Sequence, residues 1–351
     1  MLDVLKGTAV RTLSTSSTSS TSSTSRSIQG ADLDNLAHTL AGLAIAEAGL
    51  RRKTALGATT LAIAANLPDI DAFIYFFGDG IDALAFRRGW THGILAMVVL
   101  PLVLAAVMRG VSRLRRSRSE MPAVHWRWLI VLSAVGVWSH PLLDLLNTYG
   151  VRLLMPFSNR WFYGDALFII DLWLWLALLV GITLSRRRTL QRTVHPERPA
   201  QVAIAFLSLY IVGMAISSRA GRGVVERHAD GERARRVMVS PIPVTPIRRM
   251  VVRDLGDRYE TGELTFRGAA PYRATGMTPS GRNTDLAAAA AQTPDGAAFL
   301  SWSRFPRFAA EPGSDGQLVR ISDMRYADVR GRGWASVVVR LPARTVGLTN
   351  Q

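Results

Sequence analysis

The chain has no cysteine. Disulfides, thiolate metal sites and cysteine nucleophiles are therefore excluded, and any metal ion must be held by histidine, aspartate or glutamate. Acidic side chains are scarce beside basic ones, 26 against 42, which gives a formal charge of +16 at pH 7. Such an excess suits nucleic acid, anionic lipid or the cytoplasmic loops of a membrane protein, and only the placement of the charges separates these. The first residues lack the apolar centre of a secretory signal. Residues 1–30 instead contain LSTSSTSSTSSTSRS, a repeat with almost nothing to bury, and a disordered tail is expected there.

What the chain does have is apolar sequence, 48% of its 351 residues. From about residue 36 to 217 it runs in blocks, at roughly 36–50, 55–77, 92–108, 128–147, 166–185 and 200–217. Several reach the ~17 to 25 residues that a helix needs to cross a bilayer. The first, LAHTLAGLAIAEAGL, is short and rich in small residues, which suits a partial span packed against its neighbours. The connectors RRK, RGVSRLRRSRS and SRRRTLQRTVHPER are strongly basic. If the blocks alternate, these three fall on one side, the cytoplasmic one by the positive-inside rule. Arg219 and Arg222, after the last block, run against that pattern.

Beyond about residue 220 the texture changes. RRMVVRDLGDRYETGELTF and QLVRISDMRYADVRGRGWASVVVRL alternate apolar and polar residues around glycine-bearing turns, the pattern of half-buried hairpins. TDLAAAAAQTPDGAAFLSWSRF, between them, is helical in character at its start. The expected fold is an all-α polytopic membrane bundle of five to six helices (31–218) followed by a small soluble α+β domain (219–351). The expected location is the cell inner membrane, multi-pass, with the C-terminal domain extracytoplasmic.

Polar residues inside the apolar blocks carry the functional signal. His38 lies near the start of the first block, and Asp69 and Asp71, in NLPDID, near the end of the second. His92, in RGWTHG, opens the third, while His140 and Asp144 close the fourth. In alternating spans, the start of an odd block and the end of an even one lie on the same side, so all six converge opposite the basic connectors. His140 and Asp144 are four apart and share one helical face. Asp69 and Asp71 follow Pro68, where the chain is expected to bend. Neutral imidazoles with ionised carboxylates suit a divalent ion such as zinc, manganese or magnesium. Singly, each has a plainer reading: a packing histidine at 38, a hydrogen-bonded pair at 140 and 144, a helix stop at 69 and 71. Ionisable groups gathered at membrane depth are functional candidates. His125, His195 and His228 read as ordinary surface residues.

An early helical histidine, then NLPDID, RGWTHG and SHPLLDLLNTYG with an aromatic and basic loop behind it, resemble the membrane-bound metal-dependent hydrolases of the YdjM type. The likeness covers roughly residues 35–185, and FLSWSRFP with VRISDMRY resembles the C-terminal extension of some members. The Ser/Thr tail is not part of that pattern. The resemblance implies an inner-membrane helical bundle with metal-dependent hydrolase activity. By match to its motifs, His38, Asp69, Asp71, His92, His140 and Asp144 are the functional positions.

In that reading a divalent ion lowers the pKa of a bound water. Asp69 and Asp71 are the catalytic candidates, one of them serving as general base. Arg87, Arg88, Arg152 and Arg160 are candidates to bind an anionic substrate group, which favours a phosphoester or lipid-derived ester. Membrane lipids are expected partners and nucleic acid is not, because the arginines sit between spans rather than on one folded face. Trp90, Tyr149, Trp161, Phe162 and Tyr163 read as an interfacial aromatic belt. Two other functions fit the same composition: a transporter or ion relay using the His/Asp cluster, and a non-catalytic membrane scaffold.

Overall fold

A backbone crossing lipid must satisfy its own N–H and C=O groups, so long apolar runs become helices. The structure, a computed structural model, describes residues 34–77, 80–116, 124–228, 231–267, 271–311, 317–328, 333 and 335–341. The Ser/Thr-rich tail at 1–30 lies outside them. Three helices among the described residues are long and apolar enough to cross a membrane. They are α4 (Ile94–Arg116), α5 (Trp126–Leu146) and α7 (Arg198–His228). α6 (Leu172–Leu190) starts where the Asp171 carboxylate caps the N–H groups of Trp173 and Leu174, at 3.1 Å each, and ends in Arg186, Arg187 and Arg188.

The first two blocks are shorter. α1 (Asp34–Glu47) has 14 residues and α2 (Gly57–Ala64) has 8, against the ~20 residues of a full span. The block expected at 55–77 is therefore not one continuous helix. Pro68 has no N–H to give and sits in the first turn of a tight 3₁₀ helix, Leu67–Phe76. This is the bend expected from NLPDID. A short helix, α3 (Gly80–Phe86), follows.

α2 lies against both α1 and α5 because small residues face it. A Cβ added to Gly42 would meet the Leu61 carbonyl at 2.7 Å, and one added to Gly136 would meet the Ala64 methyl at 2.4 Å. At the basic end of the helices, Glu47 pairs with Arg51 at 3.2 Å and Arg186 at 3.1 Å, and Arg52 pairs with Glu197 at 2.9 Å.

The C-terminal region is α+β. β1 (Arg236–Pro241), β2 (Arg248–Asp254), β3 (Arg258–Thr265) and β4 (Tyr272–Pro279) form an antiparallel meander in that order. The hairpin read from RRMVVRDLGDRYETGELTF is β2–β3, turning at Gly256, whose φ of 102° only glycine adopts readily. α8 (Asp285–Gln292) and a second helix absent from the sequence reading, α9 (Pro294–Trp302), each start on a threonine cap. β5 (Pro306–Glu311), β6 (Gln317–Asp323) and β7 (Ser336–Leu341) complete a second antiparallel sheet.

α9 and β6 fasten this domain to the helices. Trp302 is buried and donates its indole N–H to the Tyr149 carbonyl at 3.0 Å, and Tyr163 donates its hydroxyl to the Trp302 carbonyl at 2.9 Å. Arg304 pairs with the buried Asp165 at 2.9 Å. Tyr149, Trp161 and Tyr163 thus pack under the C-terminal domain rather than forming the expected aromatic belt. The belt reading failed there because a folded domain covers the surface that a bundle alone would show to headgroups. Trp90 is exposed.

Two measurements test this frame. Gly136→Val should cost ~1 to 3 kcal/mol, since α2 must move to admit the side chain, and a fall in melting temperature in detergent reads it. The second concerns Asp323, fully buried beside Arg325 at 2.9 Å, whose guanidinium also donates to the Thr148 carbonyl at 2.7 Å. Burial pushes the Asp323 carboxyl up, but the Arg325 charge and hydrogen bonds outweigh it and hold the folded-state value below the ordinary carboxylate range. Its contribution is therefore complete above about pH 4 and is lost as pH falls through the folded value. Asp323→Asn should melt lower at neutral pH, by ~3 to 5 kcal/mol for a broken buried pair, and should lose less than wild type on acidification.

Candidate metal centre

Each histidine of the cluster is placed by its own element. His140, on α5, points its Nδ1 at the Ala65 carbonyl, 2.7 Å away at the end of α2. A carbonyl only accepts, so Nδ1 carries the proton and Nε2 carries the lone pair. His38, on the first turns of α1, stacks on His140 with ring centroids 3.6 Å apart. His92 lies between α3 and α4. Its Nδ1 lies 3.0 Å from the Thr91 hydroxyl, which itself donates to Asp71 at 2.9 Å, so Nδ1–H is the donor and Nε2 is again the open nitrogen.

The six residues named from the sequence come together. His92 Nε2 is 3.3 Å from Asp144 Oδ2 and 3.8 Å from Asp69 Oδ1. His140 Nε2 lies 3.6 Å from each of the same two oxygens. His38 Nε2 is 3.5 Å from Asp144 Oδ1. Two groups have donor atoms within 4.8 Å of one another: His38, His140 and Asp144, and Asp69, His92 and His140. Both use His140, which has a single nitrogen left to give. The two groups therefore describe one site rather than two independent ones.

Asp71 stands apart from these groups. Residues two apart on a 3₁₀ helix point about 120° apart, and Asp69 and Asp71 reach opposite nitrogens of the His92 ring, Nε2 at 3.8 Å and Nδ1 at 3.4 Å. Asp71 Oδ2 accepts from the Arg88 N–H at 2.8 Å and from Thr91 at 2.9 Å, and Oδ1 lies 3.4 Å from Arg87 Nε. Asp71 also faces His92 Nδ1 at 3.4 Å. It holds the imidazole in place from behind.

The four arginines divide. Arg88 Nη2 pairs with Asp144 at 3.0 Å and Arg87 Nη2 with Asp69 at 3.2 Å. Arg152 is buried and spends its Nη2 on the carbonyls of Ala85 and Arg87, at 2.7 and 2.8 Å, which makes it a brace for that loop. Arg160 is exposed over the Phe162 ring. Three participants went unnamed in the sequence reading. The Ala65 carbonyl and Thr91 set two tautomers, and Asn147, buried beyond α5, lies with Nδ2 3.5 Å from Asp144 Oδ1. Thr91 and Asn147 sit inside the quoted motifs RGWTHG and SHPLLDLLNTYG. A backbone acceptor leaves no such mark. His195 and His228 are exposed, as expected, with partners Glu197 and the Val224 carbonyl.

Donor chemistry decides what fits. His92 Nε2, His140 Nε2 and Asp144 Oδ2 are buried with no hydrogen-bond partner, and each such atom costs ~1 to 3 kcal/mol. Two imidazole lone pairs and an anionic oxygen face one another. That is a divalent-cation donor set of nitrogen and oxygen type. Without a cation, Arg88 and Arg87 compensate the two carboxylates. Arg88→Ala should therefore lower the melting temperature strongly in chelator, as expected for a broken buried pair at ~3 to 5 kcal/mol, and much less after zinc or manganese is added. Thermal melts with and without chelator measure the difference.

Comparison with known proteins places the region that holds the cluster in a family. The YdjM inner membrane protein family matches residues 33–221, which hold α1 to most of α7 and all six cluster residues. The chain is 25% identical over 267 residues to "Uncharacterized protein YfhP" of Bacillus subtilis (strain 168), covering 74% of each chain. It is 30% identical over 151 residues to "Inner membrane protein YbcI" of Escherichia coli (strain K12), covering 36% of this chain and 82% of that one. No solved structure matches. The chain belongs to the YdjM inner membrane protein family.

Proposed function

We propose that this chain is an integral membrane hydrolase that uses one divalent metal ion to cleave a phosphoester or an ester. The observation that carries the reading is the trio of buried, partnerless donors, His92 Nε2, His140 Nε2 and Asp144 Oδ2. These three would hold the ion, with His38 and Asp69 beside it. A bound zinc, manganese or magnesium ion supplies Lewis acidity and a water acidic enough to ionise near neutral pH.

The chain's own groups do the rest. Asp69 has 7% of its side chain exposed and Asp71 none, so Asp69 is the carboxylate able to take a proton from water as general base. Asp71 is a positioning residue acting through His92. Arg87 and Arg88 contact the carboxylates, which supports these guanidinium groups as partners for an anionic substrate oxygen. The arginine bias supports a multi-pass arrangement in the inner membrane. Arg51, Arg52 and Arg186 lie at the end away from the cluster, so the cluster and the C-terminal domain would face the extracytoplasmic side.

Full-length protein purified in detergent should carry about one equivalent of zinc, manganese or magnesium by elemental analysis. His140→Ala and Asp144→Ala, folded and inserted, should lose it. Asp71→Asn should weaken metal binding by ~10- to 100-fold, the usual effect of removing a group that orients a ligand. Wild-type protein that holds no such metal, and hydrolyses no phosphoester or ester after metal is added, would sink the proposal.

A further inference from the structure

A cleft of about 620 Å³ lies between α7 and the C-terminal domain and belongs to no part of the metal centre. Arg249, which is 1% exposed, is among the residues that line it. The Arg249 guanidinium donates to the carbonyls of Pro246, at 2.6 Å, and Arg248, at 3.1 Å, and also touches the Ser217 hydroxyl and, at 3.2 Å, the Met214 sulfur. Every one of these partners is neutral, and Nε has no hydrogen-bond partner. Among the described residues no carboxylate lies within ion-pair distance of Arg249. Asp171, beyond the lining residue Tyr210, is occupied by the Tyr210 hydroxyl at 3.0 Å and by the first N–H groups of α6. A buried guanidinium without a counter-charge is expensive, and one that lines a cleft invites an anion.

The rest of the cleft says which anion. Arg267 and Arg248, the latter paired with Glu263, stand exposed among the lining residues. Ile247 and Phe266, also lining, are exposed apolar side chains, as is Val244 on the same β1–β2 loop. On α7, Leu209, Val212 and Ile216 are exposed next to the lining positions Tyr210, Gly213 and Ser217. The apolar run of α7 ends there, and Arg219 and Arg222 follow on the next turn. Met214 and Ser217 therefore sit at the depth where hydrocarbon gives way to headgroups. A free phosphate would leave the apolar rim bare, and a neutral lipid would leave Arg249 unmatched. A phosphate with an acyl chain attached satisfies both.

We propose that this cleft binds one anionic glycerophospholipid, its phosphate against Arg249 with Arg248 and Arg267 at the mouth, and an acyl chain along the Leu209–Ile216 face of α7. The site docks the C-terminal domain on the membrane surface and does not depend on the hydrolase reading.

The test is native mass spectrometry of the full chain extracted from vesicles of phosphatidylglycerol and phosphatidylcholine in equal parts. Wild type should retain one phosphatidylglycerol in preference to phosphatidylcholine. A Cβ at Gly213 meets nothing within 4 Å, so the backbone there admits a side chain, and Gly213→Trp should occupy the cleft and lower retention by roughly tenfold or more, metal content being unchanged. Arg249→Gln should abolish the preference between the two lipids, with a melting temperature in detergent as the check on folding. Millimolar inorganic phosphate should not displace the lipid. Equal retention of both lipids by wild type, undiminished retention in Gly213→Trp, or displacement by inorganic phosphate would each overturn the assignment, the last in favour of a soluble phosphate ligand.

Discussion

The burial of Asp144 governs the architecture of the helical half. A carboxylate with no exposed surface is tolerable only if cations or strong donors surround it. Here Arg88 stands 3.0 Å away and the imidazoles of His92, His38 and His140 stand at 3.3, 3.5 and 3.6 Å. These come from α1, from the loop between α3 and α4, and from α5 itself. Three separate stretches of chain must therefore keep register to within about an ångström. Glycines make that register possible, because Gly42 and Gly136 let backbones approach α2 to distances that a side chain would forbid.

The convergence of the site was legible before any coordinates, because it rests on two rules that need only sequence. Alternating spans place the ends of α5 and the starts of α1 and α4 on one side, and a spacing of four places His140 over Asp144. The division of labour between Asp69 and Asp71 was not legible, since it depends on how tightly the chain winds after Pro68. Nor was the fate of the arginines. Arg152 and Arg160 look alike in a sequence, yet one is enclosed beneath Trp161 and bonded to two carbonyls while the other lies on the surface. Strand alternation gave the β2–β3 hairpin correctly. The bend at Pro68 was legible, but not that the helix before it, Gly57–Ala64, has only 8 residues, because hydropathy marks an apolar block without marking where its helix begins and ends.

The same kind of blindness explains the aromatic residues at 149–163. Tyrosine and tryptophan near the end of a span suit a headgroup belt or a protein interface equally well, since both offer apolar surface beside polar partners. What decides between them is a domain more than a hundred residues away in sequence. Trp302 stacks on Tyr326 at 6.0 Å and meets Tyr149, tilted, at 5.0 Å, with the Arg325 guanidinium 4.6 Å above its ring. The loop that leads out of α5 is thereby held from the far side, and Asn147, which touches Asp144 from that loop, is held with it. The C-terminal domain thus contacts the loop that holds Asn147 against Asp144, although among its described residues none supplies a donor atom to the cluster.

Pro68 links the break in the second block to the protonation of His140. A helix that ends leaves its last carbonyls without partners. α2 stops at Ala64, the Asp69 N–H turns to the Asn66 carbonyl at 3.2 Å instead of reaching back to Ala65, and the Ala65 carbonyl is left open. His140 Nδ1 fills that vacancy at 2.7 Å. Had the helix continued, Ala65 would have been occupied by residue 69, and nothing would fix the proton on Nδ1. The imidazole would then be free to place its proton on Nε2, where it would face the carboxylates as a donor and be useless to a cation. The feature that shortens the helix of the second block is the one that fixes the His140 proton on Nδ1.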